Sequence, residues 1–141
     1  MKNLENNLHE IGKKAFQILE EKGYKIDDID KEFEKTIKKL DKKKYAIQKG
    51  VWELNKKRNK LKLGKCVYLR QSNFPFKLFI LQEVYIEGET EPEVRIGYYI
   101  VAPKKLKEEG KIRIVWGQYN PIIPKKDFKV LIDKAKENGI L

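Results

Sequence analysis

The chain of 141 residues has few of the side chains that most enzyme chemistry uses. Cys66 is its one cysteine, which excludes an intrachain disulfide and a thiolate metal site built from one chain. His9 is the sole histidine and Ser72 the sole serine, and no local motif joins them into a Ser-His-Asp arrangement. There is no GxxxxGK(S/T) loop, and no GxGxxG follows a strand-like run. No apolar run reaches the length of a membrane span, and the N-terminus lacks the apolar centre of a signal peptide. These absences lead to the expectation of a cytoplasmic protein that is not an enzyme, binds no cofactor or metal, and has no membrane partner. Carboxylates do gather at Glu87, Glu89, Glu91 and Glu93, but beside Gly88 and Pro92, where a solvated turn is expected. The catalytic alternative they leave is a metal-dependent nuclease.

What the chain has in excess is positive charge. Its 32 Lys and Arg against 21 Asp and Glu give +11, with a pI near 9.6. That balance suits a polyanion, either nucleic acid or an anionic membrane surface, although lysine also serves plain solubility. Only four of the basic residues are arginine; the other 28 are lysine, accompanied by 15 glutamates and very few hydroxyl side chains. Such a composition is associated with proteins of hyperthermophiles. The excess is uneven, because residues 31–62 carry +9, residues 1–30 carry −2 and residues 63–141 carry +4.

Leu4, Leu8, Ile11, Ala15 and Ile18 alternate in spacings of four and three, which predicts an amphipathic helix over about Asn3–Lys22, stopped by Gly23. Asp27 or Asp28 opens a second helix. Phe33, Leu40, Ile47, Leu54 and Leu61 recur every seven residues, with Ile37 and Val51 between them. This heptad pattern predicts a coiled coil running to about Lys62, interrupted at its second seam by Lys44 and Arg58, and by Gly50 within it. Its seam residues are the expected contacts of a homodimer or homotetramer.

Beyond Gly64, four strand-like runs begin at Lys65, Phe76, Glu93 and Lys111, and a short C-terminal helix carries Phe128, Leu131, Ile132 and Ala135 before Gly139. Read with a period of two, Val67 and Leu69 oppose Tyr68 and Arg70, while Ile96, Tyr98 and Ile100 oppose Arg95 and Tyr99. In the last run Ile112, Ile114 and Trp116 oppose Lys111 and Arg113. The helices are expected to cover the apolar face and leave the arginine face open. The candidate nucleic-acid contacts are therefore Tyr68, Arg70, Lys77, Phe79, Tyr85, Arg95, Tyr99, Arg113 and Tyr119, with Phe74 in the Ser72–Pro75 turn and Phe76 just after it. Aromatic faces stack unpaired bases of any sequence, and cationic groups hold phosphates.

The heptad segment FEKTIKKL onward, the strands VYLRQSNFPFKLFIL and VRIGYYIV, and the close VWGQYNPIIPKKDFKVLIDKAKENGIL together resemble the ThermoDBP-related single-stranded DNA-binding proteins of hyperthermophiles. The resemblance implies a sheet-based cleft with an apolar floor and basic margins, and oligomerisation through coiled-coil helices. A weaker similarity is to transcriptional positive cofactors that bind single strands with a β-β-β-β-α unit and dimerise.

The expected architecture is thus α+β, with an N-terminal helical and coiled-coil arm over residues 1–62. A four-stranded antiparallel sheet with a C-terminal helix follows over residues 63–141. The expected function is sequence-independent binding of single-stranded DNA or RNA. The rival reading is a coiled-coil scaffold or transcription-associated factor whose basic helix binds duplex DNA or a protein.

Overall fold

A computed structural model describes residues 7–47, 60–117 and 120–141. Helices α1 (Glu10–Glu21) and α2 (Ile26–Lys42) come first, then strands β1 (Tyr45–Ile47), β2 (Lys60–Arg70), β3 (Lys77–Ile86) and β4 (Glu93–Val101). Helix α3 (Pro103–Glu109), strand β5 (Ile114–Trp116) and helix α4 (Lys125–Glu137) follow. The strands form one antiparallel sheet in sequence order, so every connection joins neighbours. The α+β class is as expected, but the described sheet has five strands rather than four.

Local turn chemistry works as the sequence indicates. Gly23 and Gly139 take left-handed conformations at the ends of α1 and α4, with φ of 91° and 73°. The acidic stretch at Glu87–Pro92 joins β3 to β4, and Ser72–Pro75 joins β2 to β3.

The coiled-coil expectation fails, because α2 ends at Lys42 and the chain becomes extended at Lys43. Phe33, Ile37 and Leu40 are buried in the protein's own core. Ile47 lies exposed in β1 and Leu61 lies buried in β2, while Val51 and Leu54 fall outside the described residues. The reason is visible in the pattern. Ile29, Phe33, Ile37 and Leu40 form one apolar stripe, and continuing the helix would turn Lys44 onto it. Asp27 and Asp28 in the first turn, with Lys39 and Lys42 in the last, complement the helix dipole over this shorter length. The division at residue 62 also falls within β2, and α2 shares a core with the sheet rather than forming an arm.

The first helix begins at Glu10, and the buried stripe shares with the expected one only Leu8, which lies just before it. Leu8, Gly12 and Phe16 face inward, whereas Ile11 and Ile18 are 66% and 52% exposed. A methyl group on Gly12 would stand 2.5 Å from the Ser72 carbonyl oxygen, so glycine permits this close approach. Phe16 then packs edge-on against Phe76, with ring centroids 5.9 Å apart.

Cross-strand partners share a face of the sheet, and the register assigns the two faces. Cys66, Gln82 and Arg95 lie in line, as do Tyr68, Ile80 and Gly97, and then Arg70, Leu78, Tyr99 and Trp116. This is the face covered by α1 and α2, where Phe16, Ile29, Phe33, Ile37 and Leu40 pack on Leu78, Ile80 and Val101. On the opposite face Val67, Leu69, Phe79, Leu81 and Tyr98 receive Leu131, Ala135 and Ile140 from α4 and its C-terminal end. Both faces are therefore covered. The expectation that the arginine face stays open is overturned, because the large apolar residues Leu78 and Ile80 stand on it too and need cover.

Candidate nucleic-acid interface

The three arginines do not share one surface. Arg70 is 3% exposed and pairs with Asp30 of α2, with its guanidinium carbon 5.3 Å and 5.8 Å from the Phe16 and Phe33 ring centroids. Arg113 precedes β5, pairs through its carbonyl with the Ala102 N–H, and so falls on the α4 side of the sheet. Arg95 alone opens onto a groove with aromatic walls.

That groove has a volume of about 340 Å³ and is bordered by both outer strands, through Ala46 and Ile47 of β1 and Trp116 of β5. A sheet whose two outer strands meet one groove must curl, and the groove is the gap left beside the C-terminal turns of α2. Its other lining residues are Thr36, Lys39, Leu40 and Lys43 from α2, and Arg95 and Tyr99 from β4. Spacings of three and four on a helix put Thr36, Lys39 and Lys43 on one side, so two ammonium groups flank the opening.

The aromatic part is held by packing. Trp116 and Tyr99 are cross-strand partners with ring centroids 4.9 Å apart at 78°, an edge-to-face contact. Beneath the indole lies Gly97, where a Cβ would come within 2.2 Å of the ring. The Arg95 guanidinium carbon sits 5.2 Å from the indole centroid. Trp116 nonetheless remains 39% exposed, which leaves ring surface available to a ligand.

Burial shapes the ionisation of this cluster. It pulls Arg95 below the ordinary arginine value, while Tyr99 and Cys66 push the other way. Tyr99 is raised, first by burial, with Arg95 opposing and Cys66 adding. The Cys66 thiol is pushed up to about 12, first by burial and then by Asp41, against a lowering by Arg95. A thiol with that value stays neutral at pH 7 and is a poor nucleophile. Because its folded value lies above the unfolded one, its contribution to stability is intact below about pH 9 and is lost between about pH 9 and pH 12. Cys66→Ala is expected to flatten this part of a denaturation-versus-pH curve, and native Cys66, which is only partly buried, to react with a thiol reagent at pH 8 far more slowly than a free cysteine.

The other expected contacts are dispersed. Tyr68 is half-buried beneath the helices, and burial followed by Asp41 and Cys66 raises its pKa above the ordinary tyrosine value, so its hydroxyl is harder to ionise. Phe79 is wholly buried under α4. Phe74 is exposed and edge-on to the half-buried Phe76 at 5.3 Å. Lys77 lies on the α4 side over the rings of Tyr98, Phe74 and Phe79, and burial lowers its ionisation. Tyr85 stands at another depression with Tyr45, Lys60, Lys62, Glu87 and Glu89, and its hydroxyl donates to Glu83 at 2.6 Å. Tyr119 lies outside the described residues.

Of the residues expected from sequence, the groove therefore unites Arg95 and Tyr99 and adds Trp116, Lys39 and Lys43. The register of β5 is what separates Trp116 from its expected face, since Trp116 pairs with Tyr99 and not with the strand positions beside it. The lysines could have been found from their spacing with Thr36, had the helix been ended at Lys42. Among the described residues no group of His, Cys, Asp and Glu is placed to hold a metal ion, and no helix is long and apolar enough to cross a membrane.

Comparison with protein-family models, curated proteins and solved structures finds no match to this chain.

Proposed function

We propose that the protein binds single-stranded nucleic acid, DNA or RNA, without sequence preference and without catalysis, at the groove between the C-terminal turns of α2 and the curled sheet. The observation that carries this reading is the exposed Trp116 standing edge-on to Tyr99 beside Arg95, with Lys39 and Lys43 on the same opening. Unpaired bases would stack on the indole and phenol, and the three cations would hold the phosphates that pass them. The narrow, partly enclosed shape favours a single strand over a duplex, whose bases are already stacked. The resemblance of the aromatic strands to the ThermoDBP-related proteins supports the same ligand class.

A competition titration of labelled single-stranded DNA against duplex DNA and RNA at two salt concentrations tests the proposal. The single strand is expected to win over the duplex and to quench tryptophan emission. Replacing Lys39 and Lys43 together by alanine should lower the slope of log affinity against log salt by about 1.4, since each phosphate contact on a single strand contributes about 0.7. Equal affinity for both forms, unaffected by Trp116→Ala, would instead assign the binding to a basic helix surface.

A further inference from the structure

The groove's arginine is not simply lying on the surface. Arg95 donates from Nε and Nη2 to one acceptor, Oε1 of Gln82, at 3.1 Å and 2.9 Å. Gln82 is 2% exposed and faces Arg95 across the β3–β4 ladder. Its own amide donates to the Gly64 carbonyl at 3.3 Å, beside the irregularity between Leu63 and Cys66 in β2. This second bond fixes which end of the amide is oxygen. The guanidinium thus turns its Nε–Nη2 edge toward a buried neutral acceptor, the Nη1 donors take no part in these two bonds, and Arg95 borders the groove.

The chemistry of the acceptor matters. A carboxylate at this place would orient the arginine equally well, but it would also cancel the arginine's charge. An amide orients without neutralising, as a group meant to hold an external anion requires. The Trp116 indole, its centroid 5.2 Å from the guanidinium carbon, gives the arginine a second neighbour besides Gln82.

We propose that Gln82 is a positioning residue that presents the free fork of Arg95 to a phosphate of the bound strand. This rests on the groove being the nucleic-acid site, and it goes further by naming the contact that reads the backbone and the buried residue that aims it.

The test uses labelled oligothymidylate, which contains no guanine, with Arg95→Ala, Gln82→Met and the double variant. Arg95→Ala is expected to weaken binding about tenfold and lower the salt slope by about 0.7. Gln82→Met, which removes the acceptor and keeps the arginine's charge, should weaken binding severalfold with the slope unchanged. In the Arg95→Ala background it should have no further effect. Gln82→Glu, nearly isosteric, should keep the pairing yet lower both affinity and slope, as Arg95→Ala does. This variant also carries the test if Gln82→Met does not fold by circular dichroism.

If Arg95→Ala binds both oligothymidylate and a guanine-containing strand as the parent protein does, the groove reading itself is wrong. Should Arg95→Ala weaken binding while Gln82→Met leaves it alone, or weakens it equally in both backgrounds, positioning by Gln82 is refuted. For Gln82→Glu, an unchanged slope refutes it as well. A loss confined to guanine-containing strands would overturn the phosphate assignment, since a guanidinium fork also fits the guanine edge.

Discussion

Asp30→Ala is expected to lower the free energy of unfolding by about 3 kcal/mol, seen as a fall in Tm of roughly 10 °C. The partner left behind, Arg70, is 3% exposed and among the described residues is ion-paired with Asp30 alone, its other neighbours including the rings of Phe16 and Phe33. Its Nε is buried without a hydrogen-bond partner even in the intact protein, so the loss of Asp30 worsens an incompletely satisfied group. The low end of the range for breaking a buried pair applies, because the Asp30 side chain is 33% exposed and water screens it in part. Replacing both members by apolar groups, Asp30→Leu with Arg70→Met, should recover most of the loss, since no charge then remains buried. Chemical denaturation of the three variants checks this. A cost below about 0.5 kcal/mol for Asp30→Ala would mean that Arg70 finds water or another acceptor.

Gly97→Ala is expected to disable the groove. The added carbon would lie 2.2 Å from one indole carbon of Trp116 and 2.5 Å from the next, well inside contact distance, so the indole must leave its place. Overpacking of this kind costs about 1–3 kcal/mol of stability, offset slightly by the better strand propensity of alanine. The larger effect falls on binding. Loss of the platform is expected to remove about 1–3 kcal/mol of stacking, or roughly fivefold to 150-fold in affinity for a single strand. Displacing the indole also removes the group that flanks Arg95. The sequence has two tryptophans, Trp52 and Trp116, so the measurement uses a Trp52→Phe background in which Trp116 is the single indole. A red-shifted emission together with weakened binding is expected. Unchanged emission and affinity would show that the strand and indole shift together without cost, and that the platform is not where Gly97 places it.

Trp116, Arg95 and Tyr99 show why a parity reading succeeds within one strand and fails between strands. Alternation correctly separated Arg95 and Tyr99 from Tyr98 and Ile100, because side chains on one strand alternate whatever surrounds them. It could not determine how β5 is registered against β4, and that register moved Trp116 to the arginine's side and Arg113 to the other. Arg70 illustrates a second limit. By residue type it belongs on a surface, yet an aspartate 40 positions earlier meets it in the core.

The heptads illustrate a third. Phe33, Ile37 and Leu40 satisfy a coiled-coil seam and a short core helix equally well, and only the sheet against which they pack distinguishes the two.

The sequence by itself determined the α+β class, the three central strands, the turns at Gly23, Glu87–Pro92 and Gly139, and the nearness of Arg95 to Tyr99. Those features depend on local conformational preference and on periodicity within a single element, which neighbouring residues settle between themselves. Only the tertiary structure decided that α2 stops at Lys42, that the arginine face is covered, that Gln82 accepts two hydrogen bonds from Arg95, and that Lys39, Lys43 and Trp116 meet at one groove. Each of these depends on which surfaces are brought together when the sheet curls, and burial is decided by the whole chain rather than by any stretch of it.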